Sequence, residues 1–128
     1  MNNLFYDTII IGGGASGLFA SIFLPKEMKE LILEKNDSCG VKVLLSGWQR
    51  CNVTNMDIDF ERNYVWHNIK SLPGVFHVFD NQDMIQFLND NWIETVVEDN
   101  GRVILKSGKS KHLLELLLKL SNESAEAD

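Results

Sequence analysis

The chain has 128 residues and a formal net charge of −6. That is one domain by length, with enough residues for a core. The acidic balance, without a basic patch interleaved with aromatics, argues against nucleic acid as a partner. The first residues lack a basic n-region followed by a long apolar stretch, and no run is long enough to span a bilayer. A soluble, cytoplasmic protein is therefore expected. Two cysteines, Cys39 and Cys51, do not make a secreted disulfide scaffold. His67, His77 and His112 are scattered and share no metal-ligand spacing with them, so no metal site is expected.

In chain order, the first element is Thr8-Ile9-Ile10-Ile11, whose consecutive β-branched residues predict a parallel strand buried on both faces. It runs into Gly12-Gly13-Gly14-Ala15-Ser16-Gly17, a Gly-x-Gly-x-x-Gly turn. In a dinucleotide-binding βαβ unit the first glycine permits the tight turn, the second lets backbone approach a pyrophosphate, and the third lets helix and strand pack closely. The helix that follows, through Leu18 and Ile22, ends near Pro25. Its N-terminus offers unpaired N–H groups and a positive dipole end to phosphates. A second apolar run, Leu31-Ile32-Leu33, ends on Glu34. This acid stands about 20 residues beyond the first glycine, where the fingerprint places a carboxylate that accepts from a ribose 2′-OH. A carboxylate there repels a 2′-phosphate, which favours FAD or NAD over NADP at this site. The alternative is a glycine-rich βα turn in some other α/β fold.

Next comes a turn-rich loop, Asn36-Asp37-Ser38-Cys39-Gly40, and then Leu45-Ser46-Gly47-Trp48-Gln49-Arg50-Cys51-Asn52-Val53-Thr54-Asn55. Ser46 and Gly47 are small enough to let backbone N–H groups reach a flat ring system. Arg50 can supply a cation to a pyrophosphate or an anionic flavin. Asn52, Thr54 and Asn55 offer short donors and acceptors. A polar loop with Asn and Thr serving turn geometry explains the same residues equally well. Cys51 reads as a redox thiol or as a small packing residue, and no Cys-x-x-Cys supports dithiol chemistry.

Further on, Asp80-Asn81-Gln82-Asp83 predicts a capped helix with Met84, Ile85, Phe87, Leu88 and Trp92 facing the core. Thr95 to Leu105 predicts a β-hairpin around Asn100-Gly101. Ser107-Gly108-Lys109-Ser110 leads into a helix carrying Leu113, Leu114, Leu116, Leu117 and Leu120. Gly108-Lys109-Ser110 is not a P-loop, because the upstream glycine that motif requires is absent. The leucines cover much of that helix, which therefore needs burial or a second copy of the chain against it. Residues 121–128 predict a polar, frayed tail after a partial domain at 1–120.

The combination of Gly12 to Gly17 and Leu33-Glu34-Lys35 with Leu45-Ser46-Gly47 and Arg50-Cys51-Asn52-Val53-Thr54-Asn55 resembles the BaiN-like, or aminoacetone-oxidase-like, FAD-dependent oxidoreductases of bacteria. The likeness continues through Asn100-Gly101-Arg102-Val103 and Lys106-Ser107-Gly108-Lys109. It implies an α/β, Rossmann-like FAD/NAD(P)-binding domain of glutathione-reductase type, present as its N-terminal part with a β-hairpin and a C-terminal helix. It also implies FAD as cofactor, with NAD(P)H a candidate electron donor. The implied cofactor-binding set is Gly12, Gly13, Gly14, Ala15, Ser16, Gly17, Glu34, Lys35, Lys42, Ser46, Gly47, Arg50, Cys51, Asn52 and Thr54; no catalytic residue is implied. Family members continue into a substrate domain and a late return to the flavin site, so this chain alone is not expected to catalyse. A non-catalytic dinucleotide-binding or protein-interaction remnant is the alternative, and an NAD-binding module is a third reading. One departure is local: the family has a run of glycines where this chain has Trp48-Gln49, and a tryptophan is not expected to adopt glycine's backbone conformations.

Overall fold

The computed structural model describes residues 5–65 and 69–125; His67 and the last three residues of the expected tail lie outside them. The chain forms two compact units, one spanning the residues up to Gln49 together with those from Lys109 onward, the other Arg50–Gly108.

The first unit is built on a parallel pair. Strand β1 (Thr8–Ile11), helix α1 (Ala15–Ile22) and strand β2 (Glu30–Leu33) follow one another, and β1 pairs with β2 in register from Thr8↔Glu30 to Ile11↔Leu33. The Gly12 amide donates to the Leu33 carbonyl at 2.8 Å and extends the ladder into the turn. α1 stops after Ile22, three residues before Pro25, as its sequence predicts. Burial of β1 on both faces is not realised: Ile9 is 55 % and Ile11 87 % exposed. The reason is that β1 and β2 make a two-stranded sheet, too narrow to hold helices over both faces.

Helix α2 (Val41–Leu45) follows Gly40, and Ser46 caps it by donating to the Val43 carbonyl at 2.8 Å. Gly47 and Trp48 then both adopt the left-handed conformation, Trp48 at φ 55° and ψ 45°. This corrects the expectation for Trp48: it takes a glycine-like conformation, and carries the strain of doing so. Left-handed backbone costs an L-residue about 1–2 kcal/mol, while glycine costs about 0.5–1 kcal/mol in lost chain entropy. The indole is 95 % exposed, so no packing offsets the strain. Trp48→Gly is therefore expected to raise stability by about 0.5–1 kcal/mol in urea denaturation, whereas Trp48→Ala leaves it unchanged. Equal gains from both variants would locate the penalty in the exposed ring instead.

Helix α6 (Ser110–Ala125) closes the first unit by packing on α1 and α2. Leu113, Leu114 and Leu117 are buried there, while Leu116, Leu118 and Leu120 are half-buried. Ser110 donates to the Leu44 carbonyl at 2.9 Å. The buried Ser21 hydroxyl donates to Glu30 Oε1 at 2.6 Å and meets the Ser121 hydroxyl at 2.8 Å. Ser121, expected to open a frayed tail, is thus a buried helical residue; its pairing with Ser21 offsets the burial of both hydroxyls.

The second unit holds a three-stranded antiparallel sheet, order β3-β5-β4, from β3 (Asn52–Asn55), β4 (Thr95–Val97) and β5 (Arg102–Leu105). The β4–β5 hairpin forms as predicted, its turn closed by Gly101 N–H donating to Glu98 O at 2.8 Å. Helix α3 (Phe60–Asn63) and helix α4 (Leu72–Val78) carry Phe60 and Phe76, whose rings meet at 5.1 Å. Helix α5 (Asn81–Asp90) begins with the predicted cap: Asp80 accepts from the Gln82 and Asp83 amides, and Asp83 accepts from the Asp80 amide. Leu88 is fully buried, but Trp92 lies beyond the helix in left-handed conformation and is 94 % exposed. Its assignment to the core is corrected, because the helix turns off at Asn91 before a further turn can carry the indole inward.

Candidate functional site

The carboxyl ends of β1 and β2 open on a cleft of about 500 Å³. Its walls include Ile11, Gly12 and Gly14 from the first turn, Leu33, Glu34, Lys35 and Asn36 from the end of β2, and Gly40 and Lys42 from the start of α2. This is where open parallel sheets bind ligands, and the size suits a nucleotide portion.

Gly13, Gly14 and Gly17 have distinct surroundings. A Cβ on Gly17 would stand 2.0 Å from the Gly12 carbonyl oxygen and 3.2 Å from Ile10 Cγ2, so α1 lies on β1 at a distance only glycine permits. A Cβ on Gly13 would meet Cys39 Sγ at 2.3 Å. A Cβ on Gly14 would meet nothing within 4 Å, which leaves open space beside that backbone. Ala15 and Ser16 are exposed in the first turn of α1, and no side chain caps that end.

Glu34 is held from several sides. Its Oε2 accepts from the Gly13 amide at 2.8 Å. Its Oε1 accepts from the Asn36 amide at 2.9 Å and the Asn36 side chain at 2.6 Å. The Asn36 amide, then the Gly13 amide, hold the carboxyl below its ordinary value, so it is ionised at neutral pH. Further lone pairs on both oxygens remain to accept from a ribose.

Five predicted residues therefore share one cleft: Gly12, Gly14, Glu34, Lys35 and Lys42. Gly13 and Gly17 support it. Ser46 spends its hydroxyl on the α2 cap, and Gly47 is exposed in left-handed conformation. Arg50, Cys51, Asn52 and Thr54 belong to the second unit. There Asn52 and Thr54 lie on β3 either side of an irregularity in its pairing with β5, and Cys51 is buried. The Arg50 guanidinium pairs with Glu98 at 3.0 Å, and Glu98 also pairs with Arg102 at 2.6 Å. Arg50 is half-exposed, and such surface pairs are worth about 0–1 kcal/mol, so an anion can compete for it. Asn36 and Gly40 also line the cleft but are not in the predicted set, because the Asn and Gly of that loop read only as turn formers. Among the described residues no group of His, Cys, Asp and Glu could hold a metal ion, and no helix is long and apolar enough to cross a membrane.

Among curated proteins, the chain is 43% identical over 111 residues to a 3-dehydro-bile acid delta(4,6)-reductase of Clostridium scindens, covering 84% of this chain and 27% of that protein. It is 28% identical over 112 residues to a ribosomal RNA dihydrouridine synthase of Haemophilus influenzae, covering 87% of this chain and 27% of that one. The protein of that name in Escherichia coli is 32% identical over 89 residues, covering 69% of this chain and 22% of that one. The chain thus spans about a quarter of the length of the relatives it matches. The model of the HI0933-like protein Rossmann domain matches residues 6–126. With the glycine turn, the parallel βαβ unit and the strand-end glutamate in place, the chain belongs to the HI0933-like family of Rossmann-domain, flavoprotein-type dinucleotide-binding proteins.

Proposed function

We propose that this chain is the FAD-binding N-terminal part of a flavin-dependent oxidoreductase and grips the ADP moiety of FAD. The observation that carries this reading is the cleft at the carboxyl ends of β1 and β2, where Gly12, Gly14 and Glu34 meet. The open space beside Gly14 fits a pyrophosphate passing close to backbone. The α1 N-terminus favours its negative charge, and Lys42 adds a cation at the rim. Glu34 accepts from ribose hydroxyls, and its charge disfavours a 2′-phosphate. Lys35 flanks it. The assignment of Ser46, Gly47, Arg50, Cys51, Asn52 and Thr54 to the flavin rests on their sequence motif alone.

The flavin, when bound, supplies two-electron redox chemistry, and the protein's part is to bind and orient it. The relatives' names fit a carrier of reducing equivalents: two are ribosomal RNA dihydrouridine synthases and one is a 3-dehydro-bile acid delta(4,6)-reductase. NAD(P)H is the proposed electron donor for the whole protein.

Parallel calorimetric titrations of the 128-residue chain with ADP, FAD and NADH test the reading. ADP and FAD are expected to bind with similar affinity, since the ADP moiety carries the contacts. A folded chain that binds neither would overturn it, and NADH binding well above FAD would replace FAD with NAD.

A further inference from the structure

We propose that Gly40 is a positioning residue that couples the seating of α6 to the glycine turn of the nucleotide cleft; the nucleotide part of this rests on the function proposed above. Gly40 lines the cleft. Its amide donates to the Gly13 carbonyl at 2.8 Å, while the Gly13 amide donates to Glu34 Oε2 at 2.8 Å. The two peptide planes that meet at the Gly13 α-carbon are therefore each fixed by one hydrogen bond, one from the end of β2 and one from the start of α2.

On its other side Gly40 is backed by α6. A Cβ at this position would fall 2.1 Å from Leu114 Cδ1 and 3.1 Å from both Cδ2 and Cγ, so the leucine occupies the volume a side chain would take. Gly40 also has φ 75°, in the region where only glycine is unstrained. Two independent constraints thus select glycine here, its backbone conformation and the leucine beside it, and the second depends on where α6 lies. Leu114 is buried, and α6 packs along α2. Withdrawal of the leucine leaves the Gly40 backbone without support, which loosens its hydrogen bond to Gly13 and the turn beyond it. By reciprocity, a ligand that needs Gly12 to Gly14 in place favours a seated α6.

Leu117 provides the comparison. It is buried on the same helix but is not among the atoms nearest Gly40. Leu114→Ala, the milder Leu114→Val, and Leu117→Ala are made in the 128-residue chain. Amide hydrogen exchange at Gly40 and ADP affinity are then measured on the folded proteins. Both Leu114 variants are expected to speed Gly40 exchange at least about fivefold over Leu117→Ala, and to weaken ADP by about fivefold. Leu117→Ala, at comparable cost in stability, leaves ADP affinity at the parent value. Gly40→Ala alone is expected to weaken ADP, and to regain part of that affinity when combined with Leu114→Ala, which vacates the clashing methyls. Equal behaviour of the Leu114 and Leu117 variants would overturn the coupling. A parent chain that binds no ADP would overturn the proposed function, and Gly40 exchange would still decide whether α6 supports the turn.

Discussion

Gly17→Ala is expected to destabilise the chain by about 2 kcal/mol, within the range of an overpacked core site. The sign is the diagnostic part. In the interior of an ordinary helix the same exchange stabilises by about 0.5–1 kcal/mol. Here the new methyl would stand 2.0 Å from the Gly12 carbonyl oxygen, a backbone atom that cannot rotate away. Either α1 lifts from β1 or the glycine turn opens, and either movement displaces Gly12 and Gly14, which line the cleft. ADP affinity should fall more than about tenfold, which corresponds to about 1.4 kcal/mol. Gly14→Ala is the counterpart: its methyl meets nothing within 4 Å, so stability should hold within about 0.5 kcal/mol. Its ADP affinity should nevertheless drop about tenfold, because the methyl would occupy the proposed path of the pyrophosphate. Urea denaturation and calorimetry on the two variants check both statements. A stabilised Gly17→Ala would mean that helix and strand are not in the close contact described.

What could be read directly from the residues is local. The glycine turn, the strand before it, the helix after it and Glu34 at the end of the next strand all follow from short-range rules, and β1, α1 and β2 are where those rules put them. The Asp80 cap and the hairpin at Gly101 are equally local. Errors entered where a residue's fate depends on distant chain. Three consecutive isoleucines predict a strand covered on both faces, but coverage is a property of neighbouring layers, and Ile11 stays exposed beside a single partner strand. Trp92 continues the helical spacing on paper, yet the chain leaves the helix before reaching it. Ser121 looks like the start of a polar tail because its partner, Ser21, lies at the other end of the sequence. Gly40 reads as a turn former for the same reason: Leu114, which fills the space a side chain there would take, is far along the sequence, and no local pattern links the two.

The charge reading has a similar boundary. A net charge of −6 argues against nucleic-acid binding by these residues. Two relatives are nonetheless named for a reaction on ribosomal RNA, and this chain aligns with about a quarter of each. The balance of charge describes only the Rossmann-domain part of such proteins.

Glu34→Ala is expected to lower ADP affinity by about ten- to a hundredfold, through the loss of hydrogen bonds to a charged acceptor. Two contributions add. The ribose loses its acceptor, and the Gly13 amide loses the carboxylate that fixes it at 2.8 Å. Glu34→Gln separates them, since it keeps one acceptor oxygen but no charge. It should restore part of the ADP affinity while also relaxing the exclusion of a 2′-phosphate. The ratio of ADP to 2′-phospho-ADP binding should therefore narrow in both variants. The pH dependence has a definite sign. Amide hydrogen bonds from Asn36 and Gly13 hold the Glu34 carboxyl below its ordinary value of 4.5 in the folded chain. A carboxyl with a depressed folded pKa stabilises fully above its unfolded value, and that contribution is lost as pH falls through the folded one. The Glu34 contribution to stability should thus be flat from neutral pH down to about 5 and decline below 4.5, and the decline should be shallower in Glu34→Gln. A parent and Glu34→Gln chain with superimposable acid limbs, and unchanged selectivity against the 2′-phosphate, would remove Glu34 from the site.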